Sequence, residues 1–275
     1  MSYAVLMVHL ELGHPNAGLL RIAGDLAERF HAGVIGIAAC QPMNLAYGEG
    51  YVSGELLEQD REEIEREISQ AEGEFRSALH KRAAALEWRS LVMFAPLSDY
   101  LAREARSADL IITCVTSGSL LNASRSLNTG DLVMRVGRPV FIVPAAAEKL
   151  KLERVVVGWK ETREARRAIC DALPLLKEAN QVAVVEIAAE AELAAARAHL
   201  EDVTGWLKRH GVVAKSLAVP STGDDASRLD AIAKEQGADV IVAGAYGHSR
   251  LREWVLGGVT RDLLLQADRC SLVSH

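Results

Sequence analysis

The sequence predicts an α/β protein made of two doubly wound units, each a parallel sheet with helices on both faces. Three observations carry that expectation. Apolar runs alternate with amphipathic stretches along the chain of 275 residues. The runs are nearly continuous, which marks strands buried on both faces, hence parallel strands joined by helical crossovers. And the pattern occurs twice: ADLIITC from Ala108 is answered by ADVIVAG from Ala238, which sets Asp109 and Asp239 130 positions apart (239 − 109).

The first unit opens on an apolar strand at 4–8 (AVLMV). A second strand at 34–39 leads into a longer insertion at 41–54. A charged helix over about 55–85 follows. Its run DREEIEREISQAE holds Ile64 and Ile68 at i, i+4 spacing, the narrow buried stripe of a solvated helix. ADLIITC is the next strand and RPVFIVP, at 138–144, the last. The joint at 145–152, AAAEKLKL, contains neither Pro nor Gly and predicts a short helix. The units therefore span 1–147 and 152–275. In the second, strands are expected at 155–158, 182–187, 213–219, 239–243 and 271–273. Helices are expected at 163–178, 191–210, 225–236 and 260–266, with His210-Gly211 as a stop signal. Right-handed crossovers complete each doubly wound sandwich.

Composition excludes several function classes. Lys+Arg is 31 and Asp+Glu is 37, so the formal charge is 31 − 37 = −6. An acidic chain lacks the positive field that nucleic-acid binders and anionic-membrane binders use. With 49% hydrophobic and 25% charged residues there is material for a core, which excludes disorder as the main state. No apolar run approaches the roughly 18–20 residues of a membrane span. The opening MSYAVLMVHLELGH has no basic region or small-residue cleavage site, so it reads as a strand and not as a signal peptide. The cysteines (Cys40, Cys114, Cys170, Cys270) form no C-x-x-C pair, which points to reduced thiols in a cytoplasmic protein. Cys40 and Cys114 lie in apolar runs and read as packing residues.

The stretch 244–260, GAYGHSRLREWVLGGVT, follows one predicted strand and leads into a helix. Ligands of doubly wound sheets sit outside the carboxyl ends of the strands, at the switch point. Glycines there let backbone N–H groups approach phosphate oxygens, and His248 and Arg250 can add charge-assisted contacts. The same stretch also reads as a tight turn with a glycine cap. The motifs G-x-x-x-x-G-K-[ST], G-x-G-x-x-G after either first strand, and G-x-S-x-G are absent, which argues against a P-loop NTPase, a nicotinamide enzyme and an α/β-hydrolase. His9, Glu11 and His14 are zinc-ligand types but match no compact spacing, so no metal is expected. The cluster Thr113, Thr116, Ser117 and Ser119 reads as a polar loop, with anion binding the lesser option. Trp254, inside the glycine-containing stretch, reads as packing against the neighbouring half, with stacking on a base the lesser role.

Gly244, two residues, Gly247, nine residues, Gly257 resembles the nucleotide loop of the universal stress protein family, and the whole chain looks like two such domains in tandem. The resemblance implies strand order 3-2-1-4-5 in each unit and pairing of the two halves through their last strands, an intramolecular pseudo-dimer. RPVFIVP and RCSLVSH suit that role, as short apolar edges that seek a partner. It further implies that ATP or another adenine nucleotide binds the second half, with Gly244, Gly247 and Gly257 on phosphate and Ile187 on the adenine side. Gly258 stands where the family has Ser or Thr, and Thr260 either replaces that hydroxyl or caps the helix. Lys160 stands where nucleotide-binding members carry Asp; it can meet a phosphate as a point charge or remain a solvated loop lysine. The first half keeps Gly118 and Gly130 without the spacing, and reads as degenerate. The implied function is cytoplasmic stress response, by sensing or regulation through nucleotide. The rivals are a slow ATPase using Glu161 or Glu253, and a scaffold binding a partner protein or apolar ligand between its halves. A further homodimer of the chain is left open.

Overall fold

A computed structural model describes residues 2–42, 54–114, 126–245 and 269–275. Among the described residues ten strands form a single sheet. The first half supplies β1 (Val5–His9), β2 (Gly33–Cys40), β3 (Leu86–Val92), β4 (Leu110–Cys114) and β5 (Val140–Val143). The second supplies β6 (Arg154–Trp159), β7 (Gln181–Ala188), β8 (Ala214–Pro220), β9 (Val240–Gly244) and β10 (Cys270–Ser274). The order across the sheet is β3-β2-β1-β4-β5-β10-β9-β6-β7-β8, so each half runs 3-2-1-4-5. All neighbours are parallel except β5 and β10, which pair antiparallel with Leu272 opposite Phe141 and Ser271 opposite Ile142. These last strands are fully buried, and each covers the other's open edge.

The repeat seen in the sequence has a structural reason. Asp109 Oδ2 accepts the backbone N–H groups of Ala4 and Val5 at 2.8 and 3.0 Å. Asp239 Oδ2 does the same for Glu153 and Arg154 at 2.8 and 2.9 Å. Each aspartate thus ties the start of its half's fourth strand to the start of its first.

Helices cover both faces: α1 (Ala17–Phe30), α2 (Gly54–Leu79), α3 (Leu97–Glu104), α4 (Thr129–Val136), α5 (Arg163–Asp171), α6 (Leu173–Glu178), α7 (Leu193–Arg209) and α8 (Asp225–Glu235). On one face the core is continuous across the seam, from Leu26 and Phe75 through Phe141 and Leu272 to Leu200 and Leu207. On the other it divides into a first-half cluster around Ile37, Leu101 and Leu132 and a second-half cluster around Val185, Leu229 and Ile241. Tyr3 also crosses the seam, its hydroxyl donating to the Asp171 carbonyl at 2.6 Å.

Three elements differ from the sequence expectation. The helix expected at 163–178 is two helices, because Pro174 in the first turn of α6 cannot donate to the preceding turn. The helix expected to reach 85 stops at Leu79; Ala84 N already donates to Ala32 O, and Ala85 O accepts from Val34 N, beside the ladder that continues as β2–β3. The joint at 145–152 carries no helix. Leu150 and Leu152 are buried between exposed lysines, a period of two, and Asp25 Oδ2 accepts the Leu150 N–H at 3.1 Å. The helix expected at 260–266 lies outside the described residues. No helix among them is long and apolar enough to cross a membrane.

Candidate functional site

In each half the order of strands reverses between the first and fourth, so the ligand-binding position of a doubly wound sheet falls at β1/β4 and at β6/β9. The two halves fill it differently. In the first, His9 closes β1 and its Nδ1 lies 3.2 Å from Thr113 Oγ1 on β4. Both are buried. The turn that follows is closed by Asn16, whose Oδ1 accepts from Glu11 N and whose Nδ2 donates to the Glu11 and His14 carbonyls. Side chains of the half itself thus bridge its strand ends. His9, Glu11 and His14 do not converge on a common point, and no group of three potential metal ligands occurs among the described residues.

Four positions after the paired aspartates stand Thr113 in the first half and Ala243 in the second, so a methyl replaces the hydroxyl. In this half a cleft of about 370 Å³ opens at the carboxyl ends of β6, β7 and β8, lined by Lys160, Glu161, Glu186, Ile187, Glu192 and Asp225 among others. That is within the ordinary range for a small-molecule site. Thr162 caps α5 by accepting the Ala165 N–H at 3.2 Å, which fixes the turn that presents Lys160 and Glu161. Asp224 caps α8 and delivers Asp225 to the rim. There Asp225 receives Lys160 Nζ at 3.0 Å and the Ser221 hydroxyl at 2.6 Å. Glu161 is engaged by Arg166.

Lys160 and Ile187 therefore share one cleft. Gly244 lies apart, ending β9 across β6. Its backbone is close against α5: a Cβ would stand 2.5 Å from Ala165 N and 2.6 Å from the Glu164 carbonyl carbon. Close approach, not a left-handed backbone, is what requires glycine there. Gly247, His248, Arg250, Gly257, Gly258 and Thr260 lie outside the described residues, as do Glu253, Trp254 and three of the polar cluster, Thr116, Ser117 and Ser119.

Sequence reasoning missed Glu186, Glu192, Ser221 and Asp225. Glu186 is the most informative. It is 7% exposed. Its Oε1 lies 3.4 Å from His199 Nδ1 on α7, and its buried Oε2 has no hydrogen-bond partner. Burial pushes its carboxyl above the usual range, against the opposing pull of His199. Its signal was in the sequence as the lone charge in QVAVVEIA. Burial raises Cys114 to about 11 and Cys270 to about 12, far from the thiolate range.

Residues 169–273 match the universal stress protein family. No curated protein matches the chain. A universal stress protein from Archaeoglobus fulgidus DSM 4304 superposes with a TM-score of 0.76 at 14% identity, over 98% of this chain and 95% of that one. A putative universal stress protein from Pseudomonas aeruginosa UCBPP-PA14 superposes with a TM-score of 0.63 at 14% identity, over 99% and 93%. A functionally unknown protein from Pseudomonas aeruginosa PAO1 gives 0.61 at 14%, over 99% and 92%. At these identities the likeness is one of fold, and it extends over both halves.

Proposed function

We propose that the chain is a tandem of two universal stress protein-like domains, 1–147 and 152–275, acting in the cytoplasm as a stress-response protein. Its second domain binds ATP or another adenine nucleotide for sensing or regulation. The observation that carries this reading is the cleft at the carboxyl ends of β6, β7 and β8, with Ile187 in its wall. It lies on one side of the switch point, and the stretch beginning at Gly244 leaves β9 on the other. The nucleoside end occupies the cleft. The phosphates go to the glycines of 244–258, where His248 and Arg250 can neutralise them. The family match over 169–273 supports assigning this role to the second domain. The first domain, with His9 and Thr113 bridging its strand ends, is read as having no nucleotide role.

Isothermal titration with ATP and AMP tests the reading. Heat at micromolar to millimolar nucleotide, abolished by Gly257→Trp, is the expected result. Absence of heat in parent and variant alike removes it, and leaves a scaffold for a partner protein as the surviving reading. Phosphate release in the presence of Mg²⁺ that Glu161→Ala abolishes would instead favour a slow ATPase.

A further inference from the structure

Strand alternation fixes which side chains share a face with Ile187. Val156 on β6, Val185 and Ile187 on β7, and Leu217 and Val219 on β8 belong to or pack against the second-half cluster that α8 covers with Leu229 and Ile232. Gly158 faces the same way, since a Cβ there would stand 2.9 Å from Leu229 Cδ2. Glu186 alternates with Val185 and Ile187 and so points to the other face, toward His199 of α7. Two residues beyond Gly158, Ile187 and Val219 come Lys160, Ala189 and Ser221, all in the lining of the cleft. Asp225, the first residue of α8, faces them from the helix that covers this side.

Asp225 is held from two strands at once. Its Oδ2 accepts Lys160 Nζ at 3.0 Å and its Oδ1 accepts the Ser221 hydroxyl at 2.6 Å. Ser221 is itself placed by its backbone N–H, which donates to Ala188 O at 2.8 Å. An ionised carboxylate offers about four acceptor positions, two on each oxygen. Among the described residues each oxygen of Asp225 fills one. Its side chain is 26% exposed, so a ligand in the cleft can reach the others. A vicinal diol matches them: two hydroxyls on adjacent carbons meet two oxygens of one carboxylate. A carboxylate that accepts from ribose hydroxyls is a recurrent device of doubly wound sheets. A phosphate at the same point meets like charge and finds Lys160 engaged. Ile187, on the same face, offers apolar surface to the base.

We propose that Asp225 is the sugar-selecting residue of the site: its carboxylate, set by Lys160 and Ser221, accepts both hydroxyls of a ribose whose base rests against Ile187. Lys160 then serves the sugar by orienting Asp225 and does not meet a phosphate. The inference rests on the nucleotide reading above and adds to it the residue that tells ribose from a deoxygenated sugar.

The experiment compares ATP with 2′,3′-dideoxy-ATP, which lacks both hydroxyls and keeps base and phosphates. Titration of the full chain is expected to show ATP bound at least about tenfold more tightly, the effect of one hydrogen bond to a charged group. Asp225→Asn loses the charge and turns one acceptor into a donor, so the ratio should shrink to about threefold or less, through weaker ATP binding. Asp225→Ala removes both oxygens and should do the same; it serves if the asparagine variant does not fold. Equal binding of the two nucleotides by the parent overturns the role of Asp225 while nucleotide binding stands. So does a variant that weakens both nucleotides together and leaves the ratio unchanged, the mark of a merely structural residue. No binding of either nucleotide overturns both readings.

Discussion

Acidification should weaken the first half of the sheet through one side chain. His9 ends β1, is 4% exposed, and faces Thr113 Oγ1 at 3.2 Å. Burial lowers its pKa to about 4, because the imidazolium would lose its hydration with no anion to replace it. In an unfolded chain the same ring titrates near 6.5. The folded value lies below the unfolded one. The contribution of the neutral ring is therefore complete above about pH 6.5 and is lost as the pH falls toward 4. At about pH 4 the unfolded chain holds nearly a whole proton on this ring and the folded one about half. Integrated over the interval, the loss is about 3 kcal/mol. Carboxylates titrate over part of the same range, so the parent must be compared with His9→Gln, which keeps a polar partner for Thr113 and cannot titrate. Two measurements are needed. Proton NMR of the eight histidines, with His9 assigned by its absence in the variant, should give a ring that stays neutral down to about pH 4–5. Urea unfolding followed between about pH 7 and pH 4 should show the parent losing about 3 kcal/mol more than the variant. A His9 resonance titrating near 6.5, or parallel losses in the two proteins, would refute the reasoning.

Three further outcomes follow from the same geometry. Gly244→Ala should lose about 1–3 kcal/mol whether or not nucleotide is present, since its methyl meets the α5 backbone at Ala165 N; an unchanged melting temperature would mean that the two elements can part freely. Leu272→Ala, at a fully buried position opposite Phe141 in the β5–β10 pair, should cost about 2–5 kcal/mol in denaturant unfolding, and a loss under about 1 kcal/mol would show that this seam is not a packed core. Glu186→Gln should stabilise the protein near neutral pH. The folded carboxyl is raised above its unfolded value, so ionising it is penalised at any pH above the ordinary carboxylate range, and the gain should fade as the pH drops below that range. Melting curves of parent and variant at neutral and acid pH check the sign, and a variant less stable at neutral pH contradicts it.

The sequence disclosed the architecture because the features that build it are local or repeated. Apolar runs at 155–158 and 182–187 appear as β6 and β7 with one residue added at each end. The repeated aspartates were visible as spacing, although their task, binding the start of a neighbouring strand, needed the sheet to be seen. Where local pattern misled, tertiary packing had overridden it. The joint at 145–152 has helix-forming composition, but Leu150 and Leu152 are both buried, and residues two apart lie on opposite sides of a helix. The site was legible only at Ile187 and Lys160, and there through family resemblance.

Its other groups become neighbours through crossovers that no local pattern encodes: Asp225 meets Lys160 across 65 residues of chain, and His199 meets Glu186 from the helix that follows β7. Glu186 was the exception, open to view as a charge inside a doubly covered strand. A search for apolar runs passes over such interruptions, yet a strand buried on both faces has no solvent to receive a charged side chain, so the interruption demands a partner from the fold or from a ligand. In β7 the fold supplies His199 to one oxygen only. The other oxygen, sealed from solvent and without a partner, is where the burial that raises the carboxyl above its usual range is felt.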